Sequence, residues 1–379
     1  MTSPASPAQQ ANSGAARVLV CVGPGGVGKT TTAAALGLAC AEEGKRSVVI
    51  TVDPAKRLAD ALGIETLTNH PTPVQLPRTI RGSLSAMMLD TAQTFDDLIR
   101  RHASGAEQAD LILTNSFYKN ISRSLSGTQE YMAMEKLYEL VHMPTDDAGN
   151  AIEPFDVVIV DTPPTRNGLE LMSASDRLIR LLDNRVFRAL MASPRTGFRF
   201  IGAAAQLALK PLGRIVGSDV LGDAVGFFQA FDGMEAGFRD RAMKARSLFT
   251  GDQSRWILVA GPQHATVLEA IELAEELKRR GISLAGVVAN RVQPLFEPLP
   301  DHTIAPERLR PAIRRAETAN ELAHSQREVL AALREFSPTI TTIGLRNSDV
   351  HTTAMLRQLA SFFQPVDDPT AFTVATALA

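Results

Sequence analysis

The stretch GPGGVGKTT, Gly23–Thr31, decides how the rest of the chain is read. It fits GxxxxGK[ST] with Gly23, Gly28, Lys29 and Thr30, a pattern that cradles phosphate where a strand precedes it and a helix follows. Both flanks are present. RVLVCV (Arg17–Val22) is a short apolar run of strand type, and TTTAAALGLACAEEG reads as an alanine-rich helix ending near Gly44. Gly25, Gly26 and Gly28, with Val27 among them, let backbone N–H groups converge on phosphate oxygens with no Cβ in the way. The positive end of the helix adds to that attraction. In this reading Lys29 reaches the β- and γ-phosphates, Thr30 ligates Mg²⁺ and Thr31 lies near the α-phosphate.

Working outward, further short apolar runs recur: SVVITVD (Ser47–Asp53), LSAMMLD (Leu84–Asp90), FDVVIVDTPP (Phe155–Pro164), WILVA (Trp256–Ala260), LAGVVAN (Leu284–Asn290) and ITTIGL (Ile340–Leu345). Helical patterns such as TVLEAIELAEELKRRG separate several of them. That alternation predicts an α/β fold of the P-loop NTPase type, a mainly parallel, doubly wound sheet whose ligand sits at the carboxyl ends of the strands. Of the acids at such ends, two bear on the ligand. Asp161 is placed to hold Mg²⁺, with helix capping as the competing role. Asp53 is placed to orient and deprotonate an attacking water, and it also suits an N-cap before Pro54.

Two stretches interrupt the alternation and predict a helical subdomain inserted at about 91–148 and 173–250 of a P-loop domain spanning 17–365. Within it, LGDAVGFFQAFDGMEAGF sets Leu221, Val225 and Phe228 on one helical stripe and Phe227, Phe231, Met234 and Phe238 on another. A helix this apolar is either deeply buried or faces something apolar. Met132, Met134, Met143, Met172, Met191, Met234 and Met243 gather in and near the same region, and methionine serves both cores and adaptable binding surfaces.

The polar, small-residue stretch 1–16 predicts a disordered tail, and 366–379 reads as a C-terminal tail that is neither basic nor convincingly helical. FIGAAAQLAL (Phe200–Leu209) is too short to span a bilayer, which takes roughly 20 apolar residues, so no integral membrane segment is expected. Among the 379 residues there are only two cysteines, Cys21 and Cys40, which predicts a reduced, cytoplasmic protein. A net charge of −2 gives no reason to expect nucleic acid as a partner.

GPGGVGKTT, TVDPAKRLADALG, DTPPTRNGLELM and GVVANRV, in this order, resemble the ArsA/GET family of ATPases, and the resemblance runs from Arg17 to about Gln364. The family contains the arsenical-pump ATPase and the ATPase that targets tail-anchored membrane proteins, within the deviant-Walker dimeric ATPases. AMMLD and TQEYMAMEKL bring the chain near its actinobacterial-type homologues. The resemblance implies ATP as the ligand, Asp53 as the switch I aspartate and Asp161 as the switch II aspartate. It implies adenine recognition at Asn290, with Arg291 beside it, and Leu345–Val350 on the other side of the base. It also implies a dimer whose helical subdomains hold a hydrophobic client protein.

The departures from the pattern are as informative. Neither cysteine sits where a metalloid ligand is wanted, and the zinc-bridging CxxC is missing. Switch II reads TRN at Thr165–Asn167 where relatives often read TGH. Pro24 occupies the slot of a signature lysine that crosses the dimer to the partner's phosphates, and proline carries no charge and no N–H. Such trans cations contribute about 10³–10⁵ in rate in related systems. The chain is therefore expected either to form a heterodimer with a paralogous ATPase subunit that supplies a lysine, or a homodimer in which Lys56, Arg57 or Arg166 compensates. A scaffold that binds ATP with little hydrolysis and a positioning or partition-type ATPase are the competing readings.

Overall fold

The computed structural model describes residues 17–53, 57–124, 128–146, 149–163, 166–183, 218–296, 299, 301, 303, 305–337 and 339–363. The two expected tails, FIGAAAQLAL, Lys56 and Met191 lie outside them, as do the side chains of Arg166, Asn167, Met172, Leu221 and Val225.

In chain order the first unit contains β1 (Val18–Val22), α1 (Lys29–Glu42), β2 (Arg46–Thr51), α2 (Arg57–Leu62), β3 (Thr72–Pro73) and β4 (Ser83–Met88). Then come α3 (Thr91–His102), α4 (Ala106–Thr114), α5 (Ser116–Ser124) and α6 (Thr128–His142), followed by β5 (Val157–Asp161) and α7 (Arg166–Asp183). The remaining elements include α8 (Ser218–Ala230), α9 (Glu235–Thr250), β6 (Ser254–Ala260), α10 (His264–Arg279), β7 (Leu284–Val292), α11 (Arg310–Ala331), β8 (Ile340–Gly344) and α12 (Thr353–Ala360). The chain divides into two compact units. One comprises residues 1–88, 140–169 and 250–379; the other comprises Leu89–Glu139 and Glu170–Phe249.

The first unit is built on one eight-stranded sheet in the order β3-β4-β2-β5-β1-β6-β7-β8. Every pairing is parallel except β3 with β4. β1 lies inside it, fully buried between β5 and β6, which suits a strand of Val, Leu and Cys with no polar face. The alanines of α1 allow close approach to the sheet: Ala33, Ala34, Ala35, Ala39 and Ala41 are all buried. At Gly37 an added Cβ would come 2.7 Å from Val49 and 2.9 Å from Leu84. The same core takes in Leu356, Leu359 and Ala360 of α12.

Strand boundaries differ from the sequence reading for local reasons. β2 ends at Thr51; Val52 still donates its N–H to the Asp161 carbonyl at 3.2 Å, and Asp53 turns back, its N–H donating to the Thr51 hydroxyl. β4 ends at Met88, because Asp90 instead caps α3, its carboxylate accepting from the Gln93 N–H at 2.9 Å. β7 continues past Asn290 to Val292. β3 was not expected at all: two residues, one of them proline, on the sheet edge leave no periodic signal.

In the second unit the described elements are helices. The expected single helix through LGDAVGFFQAFDGMEAGF is two, α8 and α9, joined by a turn in which Gly233 takes φ 85°. The Phe227, Phe231, Met234 and Phe238 stripe is buried within this unit, with Phe231 and Phe238 edge-on at 4.9 Å and Phe95 5.2 Å from Tyr118. Of the methionines, Met132, Met134 and Met234 are buried, whereas Met243 is about half exposed. Charge is buried here too. The Nε of Arg241 donates to both carboxylate oxygens of Glu135 at 2.8 and 2.9 Å, and Lys136 donates to Glu139 at 3.0 Å.

Candidate functional site

At the carboxyl end of β1 the chain turns through Gly23–Gly28 into α1. Two glycines are required by geometry. Gly28 has φ 94°, and a Cβ there would lie 2.2 Å from the Asn290 Nδ2. A Cβ at Gly23 would lie 2.0 Å from the Val259 carbonyl oxygen. Gly25 and Gly26 are exposed on the loop's crown, while Pro24 and Val27 are buried.

Lys29 is buried beneath this loop. Its ammonium donates to the Gly23 carbonyl at 3.0 Å and the Pro24 carbonyl at 2.8 Å. Burial lowers its pKa, and the neighbouring Asp161 carboxylate opposes that shift. Pro24 thus contributes a backbone acceptor to Lys29 and is itself buried.

Asp161 closes β5 directly opposite Cys21 of β1 and Thr51 of β2. Its Oδ2 accepts from the Thr30 hydroxyl at 2.8 Å and from the Thr51 hydroxyl at 2.9 Å. Its Oδ1 is buried with no hydrogen-bond partner. Burial pushes the carboxyl up to about 6, against the pull of the two hydroxyls and of Lys29. A buried carboxylate oxygen left open beside a threonine hydroxyl is a hard-oxygen donor set of the kind Mg²⁺ takes, so these residues fit that ion.

Thr51 is the residue that motif reading missed. Besides holding Asp161, its hydroxyl oxygen accepts from the Asp53 N–H at 3.2 Å, linking the two acids. The only sequence signal is its place two residues before Asp53, and its relevance depends on β2 pairing with β5. Asp53 is partly exposed, with its carboxylate 3.7 Å from the Arg57 guanidinium. Thr31 follows Thr30 in the first turn of α1 and is half-buried.

Asn290 and Arg291 reach the loop from β7. The Asn290 amide donates to the Val27 carbonyl at 2.8 Å, and Arg291 Nη1 donates to the Gly26 carbonyl at 3.1 Å. Leu345 follows β8, its N–H donating to the Val292 carbonyl at 2.8 Å with its side chain half exposed. Cys21 and Cys40 are both fully buried, and burial raises both thiols, Cys40 to about 12. Among the described residues no group of three or more His, Cys, Asp or Glu is arranged to hold a metal ion, and no helix is long and apolar enough to cross a membrane.

Comparison with known proteins follows the same lines. An uncharacterized protein of Streptomyces coelicolor is 29% identical over 280 residues, covering 73% of this chain and 63% of its own length. An "ATPase ASNA1 homolog" of Babesia bovis is 32% identical over 167 residues, covering 43% of this chain and 39% of its own. An "ATPase get3" of Pyrenophora tritici-repentis is 24% identical over 282 residues, covering 71% and 72%. The chain thus spans less than two thirds of the first two of these relatives. The model of the anion-transporting ATPase (ArsA) family matches residues 16–302, the span that carries the loop, both acids and the Asn290–Arg291 pair, and the chain belongs to that family.

Proposed function

We propose that this chain binds Mg·ATP and hydrolyses it, acting in the cytoplasm as a nucleotide-switched dimer that holds a hydrophobic client with its helical unit. The observation that carries the nucleotide part is the buried, unpartnered Oδ1 of Asp161 beside the Thr30 hydroxyl, under a glycine loop whose crown is open. Thr30 and Asp161 would hold the metal, which when bound neutralises charge on the phosphates. The backbone N–H groups of Gly25, Gly26, Val27 and Gly28 and the first turn at Thr31 face the phosphates in this reading. Lys29 exchanges its two loop carbonyls for phosphate oxygens. Asp53, set by Thr51, orients and deprotonates the attacking water.

Pro24 brings no cation to a neighbouring site, so a paralogous subunit or a residue such as Arg57 has to provide one. Because the Phe227–Phe238 stripe packs inside the helical unit, client contact falls to outward residues such as Leu111 and Met243. Phosphate release from purified protein with Mg·ATP tests the enzyme reading, and apolar-peptide binding with and without ATP tests the switch. Client affinity that ignores nucleotide would reject the cycle. The second reading, an ATP-binding scaffold with negligible turnover, draws its support from Pro24. Single-turnover measurement with the natural partner present separates the two, since a scaffold releases no phosphate even then.

A further inference from the structure

The end of β7 departs from regular strand geometry in a way the adenine-reading role does not require. In register with β8, Ala289 stands opposite Thr342 and Val292 opposite Gly344, so two residues, Asn290 and Arg291, face one. Such a bulge re-aims side chains and often occurs beside active sites. Arg291 has φ 62°, and it is the only non-glycine with positive φ among the described residues. In a regular strand neighbouring side chains leave on opposite faces. Here both reach the same loop. The Asn290 Nδ2 donates to the Val27 carbonyl and the Arg291 guanidinium to the Gly26 carbonyl. The Arg291 N–H in turn donates to the Asn290 Oδ1 at 3.0 Å, which fixes the amide's orientation.

We propose that Asn290 and Arg291 are positioning residues for the phosphate loop, a brace that holds its crown in the phosphate-binding form. An asparagine amide has two donor hydrogens and an oxygen with two lone pairs. The brace uses one donor and one lone pair, leaving one of each, which is the complement a purine edge requires. One side chain therefore serves the base and the loop together. Gly28 belongs to the same arrangement, because any Cβ there would push the Asn290 amide off Val27. The left-handed Arg291 is a strained conformation retained where surrounding contacts over-determine it.

This inference rests on the nucleotide-binding reading above, and the ligand that separates the two is inorganic tripolyphosphate, which has no base. The experiment measures binding of Mg·ATP and Mg·tripolyphosphate by calorimetry to the full chain and to Asn290→Ala and Arg291→Gly. Arg291→Gly keeps the bulge conformation and the backbone N–H while removing the guanidinium. The brace predicts that both variants bind tripolyphosphate more weakly at unchanged stoichiometry, Asn290→Ala by roughly tenfold, the scale of one or two net hydrogen bonds. Arg291→Gly should lose a smaller factor. Merely impaired folding would instead lower the stoichiometry and leave the affinity of the folded fraction intact, and that result overturns the proposal. So does a loss of ATP affinity with tripolyphosphate binding unchanged in both variants, which would make Asn290 a reader of the base alone. Wild-type protein that binds neither ligand rejects the nucleotide reading itself, and the brace with it.

Discussion

The glycine loop and the helical unit solve opposite problems. The loop is shaped by its backbone, and its residue types follow from that shape: Gly28 at φ 94°, Gly23 against the Val259 carbonyl, Lys29 folded under its own loop. The helical unit carries its stability on side chains, an aromatic cluster around Phe231 and Phe238 and a buried network in which Arg241 and Arg101 meet Glu135. Backbone-dictated sites constrain residue type at short spacing. Side-chain clusters need only compatible shapes and charges, brought together from distant positions.

The largest expected effect is at the strand end beside the loop, where a side chain carries the proposed chemistry. Asp53→Asn should lower ATP turnover by about 10²–10⁴-fold, the usual weight of a general base, while ATP still binds. A variant with unchanged phosphate release would remove Asp53 from the chemistry.

Next is the helical side. Arg241→Met leaves Glu135 buried without its main partner, and stranding one member of a buried pair costs about 3–5 kcal/mol. Denaturant unfolding followed by circular dichroism should show that loss in helical signal. Adding Glu135→Leu to it should restore most of the stability, and a double variant no better than the single would mean the network is not the source.

A smaller effect is expected at Gly28→Ala, which combines a left-handed backbone with displacement of Asn290; strain of this kind costs about 1–3 kcal/mol. Nucleotide affinity should fall more than thermal stability does, and the reverse order would show Gly28 acting as a core residue only.

The smallest concerns pH. Burial, with Arg241 and Arg101 nearby, lowers the His102 pKa below the usual 6.5, with Asp240 opposing. The folded state then favours neutral histidine. Its contribution to stability is present above 6.5 and is lost as pH falls from there through the folded value. His102→Phe should flatten that part of the stability–pH curve, and an unaltered slope would assign the dependence elsewhere.

How much was legible follows the same division. The parallel α/β sheet was readable because each central strand is a short, almost wholly apolar run, buried on both faces. Thr51 was not, because a threonine near a strand end becomes relevant only once β2 lies against β5 and sets its hydroxyl 2.9 Å from Asp161. The two-helix break at Phe231–Met234 was obscured because the apolar stripe continues across it. Arg291 gave no sign of its left-handed backbone, since arginine is not a residue that favours positive φ.

By itself the sequence determined the sheet, the glycine loop and the absence of a lysine at Pro24, because local periodicity and backbone sterics act over a few residues at a time. Only the tertiary structure decided that Lys29 rests on the Gly23 and Pro24 carbonyls, that one oxygen of Asp161 is buried and open, and that the β7 bulge turns Asn290 and Arg291 onto the loop. It also decided that the phenylalanine stripe is core. Each of these depends on which distant segments become neighbours, and apolar pattern alone cannot distinguish a face buried in its own unit from one kept for a partner.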